Sequence, residues 1–205
     1  MKADELPASA SFDPATWAGT RRLITSDLDR LCSHLGGHGG LHRAYWFLLP
    51  NFQALFWYRL TRYLLLKGWV GPARILSLIS NYVNRVDLAP TSSIGPSCLI
   101  THTGGSFYGT AGARLTMMGT CGAGPWGNKK DVGAGVGYPL IGDDVMLAQI
   151  SAVLGPVRIG NGARIGPGTV VWRDVPSGAT VMAARSRIIR VGEAGAEDFE
   201  PGPAA

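Results

Sequence analysis

Residues Ile141–Pro176 read in sixes: I-G-D-D-V-M, L-A-Q-I-S-A, V-L-G-P-V-R, I-G-N-G-A-R, I-G-P-G-T-V and V-W-R-D-V-P. An aliphatic residue opens each unit: Ile141, Leu147, Val153, Ile159, Ile165 and Val171. A small or β-branched residue follows four places later, at Val145, Ser151, Val157, Ala163, Thr169 and Val175. The α-helix, with about 3.6 residues per turn, has no such period. A strict repeat of six fits a coil with three short flat faces, three hexapeptides to the turn. The leading aliphatic residue then points into a narrow core, and the smaller one fits near a corner. Glycines stand where the backbone must bend tightly. Consecutive in-phase units argue against the alternative, a sandwich of ordinary short strands.

The repeat extends toward the N-terminus. Leu88, Ile94 and Ile100 are spaced by six, with Ser92, Cys98 and Gly104 at the partner positions. The coil is therefore expected to begin at Val86. Between Gly104 and Gly112 the register slips, and Arg114 to Cys121 reads as strand again. The run from Gly122 to Pro139 has six glycines and no period. It predicts a loop extruded from the coil, and loops of this length are functional or disordered. After Pro176 the chain is expected to leave the coil, with order continuing to Val191. Gly192–Ala205 is acidic and rich in Pro and Gly, and reads as a disordered tail.

The segment 18–85 reads as a small α-helical region behind a mobile polar arm, 1–17. Ile24, Leu28, Leu31, Cys32 and Leu35 recur at helical spacing from about Thr20. His34, His38 and His42 are spaced by fours, but the glycines between them predict a solvated loop rather than a metal site. From Asn51, the residues Phe52, Leu55, Phe56, Leu60, Tyr63 and Leu64 form one helical face, ended by Gly68. A further helix from Pro72 groups Ile75, Leu76, Ile79, Tyr82 and Val83. The apolar run Ala44–Tyr58 is too short, and too broken by Pro50 and Asn51, to span a bilayer.

Net charge is +5, and the sequence pI is about 9.4. This balance suits an anionic small molecule such as a phosphorylated cofactor. It is only a weak pointer to nucleic acid, which is not expected as a partner. Between Ala18 and Arg85 nine Lys/Arg face two acids, Asp27 and Asp29, as a solvated rim or a membrane-surface patch. The three cysteines, Cys32, Cys98 and Cys121, lack metal-ligand spacing. With no apolar leader at the N-terminus, they fit a reducing, cytoplasmic setting.

Asp87 and His102 lie fifteen residues apart. With eighteen residues to a turn they fall on adjacent turns, stacked like strands roughly 5 Å apart. A carboxylate on one ring nitrogen would raise the basicity of the other, as a general base for a hydroxyl requires. The spacing fits equally a structural histidine in a turn beside a surface aspartate.

The run V-D-L-A-P-T-S-S-I-G-P-S-C-L-I-T-H-T-G-G, Val86–Gly105, resembles the serine O-acetyltransferases, whose matching run reads V-D-I-H-P-x-A-x-I-G-x-G-I-x-L-D-H-x-T-G. The helix N-F-Q-A-L-F-W-Y-R-L is similar to that family's G-F-H-A-L-x-x-Y-R-I/L. Y-P-L-I-G-D-D-V-M-L-A-Q-I-S-A-V-L-G is similar to its H-P-K-I-x-x-G-V-M-I-G-A-G-A-x-I-L-G. The likeness covers about Arg43 to Ile189. It implies a left-handed parallel β-helix of hexapeptide repeats behind a small α-helical region. It further implies a homotrimer with active sites between subunits, acetyl-CoA as donor, no metal, and direct attack by the acceptor hydroxyl. On the matching positions His102 would be the base and Asp87 its orienter. CoA would lie near Gly122, Gln149, Ser151, Arg164, Pro167 and Arg187, with Arg158 and Arg185 also available to its phosphates.

The departures concern the acceptor. The family's Asp before the base is Thr101 here, followed beyond the histidine by Thr103. Its R-H before the later Pro is Gly137-Tyr138. Its D-P-A segment has no counterpart in H-G-G-L-H-R-A-Y. A pocket for an ammonium group is weaker without its carboxylates. The acceptor is thus expected to be serine-like or a re-purposed, less polar or carrier-bound hydroxyl compound, with Tyr138, Trp126 and Phe107 lining its pocket. The shortened leader favours a trimer over a hexamer. An N-acyltransferase for an amino sugar fits the leader less well. A non-catalytic scaffold is opposed by the intact Asp87 and His102. A metal hydratase would need three converging histidines, and the coil holds only His102.

Overall fold

The structure, a computed structural model, describes residues 12–36, 39–127 and 129–184. From Asp87 onward the chain winds as a parallel β-helix with three faces. One sheet stacks β1 (Asp87–Leu88), β4 (Ser106–Phe107), β7 (Gly122–Gly124), β10 (Ala152–Leu154) and β13 (Val170–Val171). The second stacks β2 (Ser93–Ile94), β5 (Thr110–Ala111), β8 (Leu140–Ile141) and β11 (Arg158–Ile159). The third stacks β3 (Leu99–Ile100), β6 (Thr116–Met117), β9 (Met146–Leu147), β12 (Arg164–Ile165) and β14 (Thr180–Val181). The hexad leaders form the inner columns. Leu88, Phe107, Ala123, Val153 and Val171 descend the first sheet, and every one is buried. The corner residues Val145, Ser151, Val157, Ala163 and Thr169 are buried as well, and so is Val175.

The register slip has a structural form. Four residues, not six, carry the chain from Phe107 to Ala111. Gly109 turns this short corner at φ 150°, and a Cβ there would lie 2.6 Å from the Pro139 carbonyl oxygen. The same four-residue step recurs from Val171 to Val175, which bridges Ile159.

Three boundaries differ from the sequence expectation. Gly122–Gly124 is strand β7, paired on both sides, so the extruded loop begins only at Pro125. Its Ala123 fills a core position, and small residues conceal a strand from hydrophobic pattern. The coil also continues beyond Pro176, because β14 pairs with β12. Gly40–Phe47 is a helix, α2, rather than a solvated loop. Its glycines sit at its N-terminal end, where they cost little, and Trp46 and Phe47 pack on Leu31, Phe52 and Leu99. His42 lies in α2, and His38 lies outside the described residues, as do the first eleven residues and the segment beyond Ala184.

The remaining helices are α1 (Trp17–Leu35), α3 (Pro50–Leu66) and α4 (Val70–Asn84). Thr16 caps α1, its hydroxyl accepting from the Gly19 N–H at 3.0 Å. Asp13 to Thr16 therefore form the capping turn rather than the end of a mobile arm. Pro50 opens α3, where its missing N–H has no cost. These helices grip the first turn of the coil through polar groups. Buried Arg59 of α3 pairs with buried Asp27 of α1 at 2.9 Å. Arg59 also donates to the Gly95 carbonyl at 2.7 Å, and Asp27 accepts from the Cys98 N–H at 2.8 Å. Arg30 reaches the Ser97 and Leu115 carbonyls at 2.6 and 2.8 Å, and Asn51 reaches that of Ile100 at 2.6 Å.

Candidate active site

The coil sorts the candidate residues onto two edges of its first sheet. At the edge where the third sheet turns into the first, corners from successive turns lie on one another. His102 follows β3 in the uppermost. Beneath it lies Gly119, where a Cβ would stand 2.7 Å from the His102 Cβ. The Gly119 carbonyl accepts from Ile150 N–H at 3.4 Å, and the Gln149 carbonyl from Gly168 N–H at 3.0 Å. His102, Gln149 and Pro167 thus descend one edge, all exposed, with Arg164 exposed on β12 just before it. Beyond this edge the outer face of the first sheet forms a floor of small residues: Ser106, Gly122 and Ala152 stand in pairing register below Asp87.

The opposite edge carries the aromatic residues. Tyr108 follows β4, and its hydroxyl donates to Asp87 Oδ2 at 2.5 Å. Asn81 of α4 donates to Asp87 Oδ1 at 2.8 Å. The hydrogen bond to Asp87 pushes the Tyr108 phenol up to about 12, assisted by burial, by the Asp87 charge and by the nearby Tyr138. Half-buried Tyr138 lies on this edge one turn on, because the carbonyl of the following Pro139 accepts from Thr110 N–H at 3.1 Å. The Trp126 carbonyl oxygen crowds Gly155 on the same side, while its indole is 61% exposed.

Several expectations take another form. No hydrogen bond joins Asp87 to His102; the carboxylate is held by Tyr108 and Asn81 instead. Phe107 is a core residue without exposure and lines no pocket. Ser151 is buried, its hydroxyl donating to the Ala148 carbonyl at 2.6 Å, so its side chain does not face the edge. Arg158 projects from the second sheet, away from His102. Arg185 and Arg187 lie outside the described residues. Thr101, beside His102, has its hydroxyl shielded from water and without a hydrogen-bond partner. Thr103 is half-buried in the same corner. Among the described residues no cluster of His, Cys, Asp and Glu could hold a metal.

Tyr108, Asn81 and Gly119 were not identified by sequence. Ser106 sits in register with Asp87, so Tyr108 lies one turn on and two residues along. Resolving the slipped register would have revealed it.

The three-faced coil is that of a hexapeptide-repeat protein. A family model for bacterial transferase hexapeptides (six repeats) matches residues 138–171. The serine acetyltransferase of Helicobacter pylori strain J99 is 30% identical over 145 residues, which cover 69% of this chain and 82% of that protein. The serine acetyltransferase of Bacillus pumilus strain SAFR-032 is 34% identical over 57% of this chain, and the chain spans only 54% of its length. The crystal structure of Neisseria gonorrhoeae serine acetyltransferase in complex with serine superposes with a TM-score of 0.69 at 25% identity, covering 83% of this chain and 69% of that one. The chain belongs to the serine acetyltransferase family, and its fold is the left-handed parallel β-helix behind an α-helical region.

Proposed function

We propose that this protein transfers an acetyl group from acetyl-CoA to the hydroxyl of a small acceptor. The reading is carried by the placement of His102 at the head of the stacked edge, within a chain of this family. A ring nitrogen of His102 takes the proton of the acceptor hydroxyl as its oxygen attacks the thioester carbonyl. The tetrahedral intermediate collapses, the carbon–sulfur bond breaks, and the thiolate of CoA leaves with the proton that His102 returns. Asp87 is the positioning carboxylate. Two of its roughly four acceptor sites are occupied by Tyr108 and Asn81, which leaves room for the His102 N–H. CoA lies along the edge marked by Gln149 and Pro167, over the floor at Gly122, with Arg164 meeting a phosphate.

His102 is exposed in the single chain. A second subunit of a homotrimer, packed beside the first sheet, supplies the enclosure that excludes water. The acceptor side offers the phenols of Tyr108 and Tyr138. Neutral groups of this kind favour a hydroxyl compound without a free ammonium group, and serine is the reference acceptor.

Release of thiol from acetyl-CoA, with L-serine and then with a panel of other alcohols, tests this reading. His102→Ala is expected to abolish acceptor-dependent release while CoA still binds. Undiminished release in that variant removes His102 as the base. Release with serine as fast as with any other acceptor overturns the altered acceptor site.

A further inference from the structure

One face of α4 is bare. Ile75, Leu78, Ile79, Tyr82 and Val83 recur at three- and four-residue spacing, so they lie on one side of the helix. They are 61%, 67%, 52%, 88% and 71% exposed. The opposite side of α4, with Ala73 and Ser80, is buried against α3. Trp69, 61% exposed at the start of the helix, extends the patch. Exposed large apolar side chains grouped on one helix face mark an interaction site rather than ordinary solvated surface.

The charge around this face has one sign. No Asp or Glu occurs from Arg30 to Val86. Exposed Lys67, Arg74 and Arg85 border the face, and none of them enters an ion pair among the described residues, though Lys67 lies over the Tyr63 ring at 5.8 Å. The other cations of the segment are engaged: Arg30, Arg59 and Arg62 on backbone carbonyls of the coil, and Arg43 on Asp29.

We propose that α4 docks this protein onto an anionic membrane surface. The bare face would lie along the boundary between headgroups and acyl chains, with Trp69 and Tyr82 at the depth their amphipathic rings prefer. Lys67, Arg74 and Arg85 would meet lipid phosphates. A helix of fifteen residues, roughly 22 Å long, lies in such an interface rather than across it. In agreement, no helix among the described residues is long and apolar enough to cross a membrane. A second copy seated face to face on the same patch fits less well. It would oppose cation to cation, with no carboxylate in the segment to separate them. Docking also has a consequence for the site. The flank of α4 carries Asn81, which holds Asp87, so the candidate active site stands close to the bilayer, where a lipid-borne hydroxyl would be presented. The docking itself does not rest on the transferase reading.

Flotation of the full chain with vesicles tests this. The protein is expected to float with phosphatidylcholine vesicles containing phosphatidylglycerol, and several-fold less with phosphatidylcholine alone. The double substitution Leu78→Asp, Tyr82→Asp changes two exposed side chains, so a native circular dichroism spectrum is expected. It should reduce the floated fraction about tenfold. Lys67→Glu with Arg74→Glu should remove the preference for anionic lipid. The proposal is overturned if the wild-type chain stays at the bottom of the gradient with both vesicles, or if the Asp variant floats as well as wild type. It is overturned too if that variant lowers the sedimentation coefficient without lipid, because the face is then a contact between copies. Thiol release with a freely dissolved acceptor is expected to be unchanged in the Asp variant. Failure of docking and failure of the transferase reading are therefore separable.

Discussion

Gly119 governs the position of His102 more directly than any residue that hydrogen-bonds near it. A Cβ at this position would stand 2.7 Å from the His102 Cβ and 3.2 Å from the Thr103 carbonyl oxygen. Neither a Cβ nor a backbone carbonyl can yield as the far end of a flexible side chain would, so Gly119→Ala must displace the corner that carries His102. The substitution is expected to leave the far-UV spectrum and CoA binding intact and to lower acetyl transfer about ten- to a hundredfold, as small misplacements of a reacting group do. Unchanged turnover would show that the corner has slack. The histidine itself was identifiable in sequence through its fifteen-residue spacing from Asp87 and the motif around it. Its floor was not, because a lone Gly119 between Met118 and Thr120 carries no sign of what lies above it.

At the scale of elements, the helical cap and the coil are joined by charge rather than by apolar packing alone. Asp27 and Arg59 are each almost wholly buried. Burial raises the Asp27 carboxyl above its usual range, opposed by Arg59 and by the Cys98 N–H. Removing one member leaves the other uncompensated. Asp27→Ala is expected to cost about 3–5 kcal/mol, read as a lower urea midpoint. A shift below about 1 kcal/mol would mean that water enters the gap and solvates Arg59. The helical periods of α1, α3 and α4 were legible, since each has an apolar face. The polar clamp was not, because Asp27 and Arg59 stand thirty-two residues apart on different helices. The helix α2 was hidden by its glycines, and β7 by small residues where a strand usually shows branched ones.

Across the whole molecule, all three cysteines are buried as free thiols, Cys32 in the helical cap and Cys98 and Cys121 in the coil. Burial pushes the Cys98 and Cys121 thiols up to about 12. The folded protein is therefore expected to release no thionitrobenzoate from Ellman's reagent at pH near 8 until denaturant is added, when three thiols should titrate. Rapid reaction of one thiol in the native state would reveal local opening of the coil or cap. The period of six determined by itself the coil, its three faces and the core leaders of the in-phase hexads, Leu88 to Ile100 and Ile141 to Val171, because each hexad position meets the same environment on every turn. Motif likeness added the family and His102 as the candidate base. Only the tertiary structure decided what stands beside what: Tyr108 and Asn81 on Asp87, Gly119 beneath His102, Arg164 near the edge and Arg158 away from it. These neighbours depend on the summed register of the turns between them. One short corner at Gly109 and one long loop after Gly124 shift that sum without disturbing the local pattern from which the coil is read.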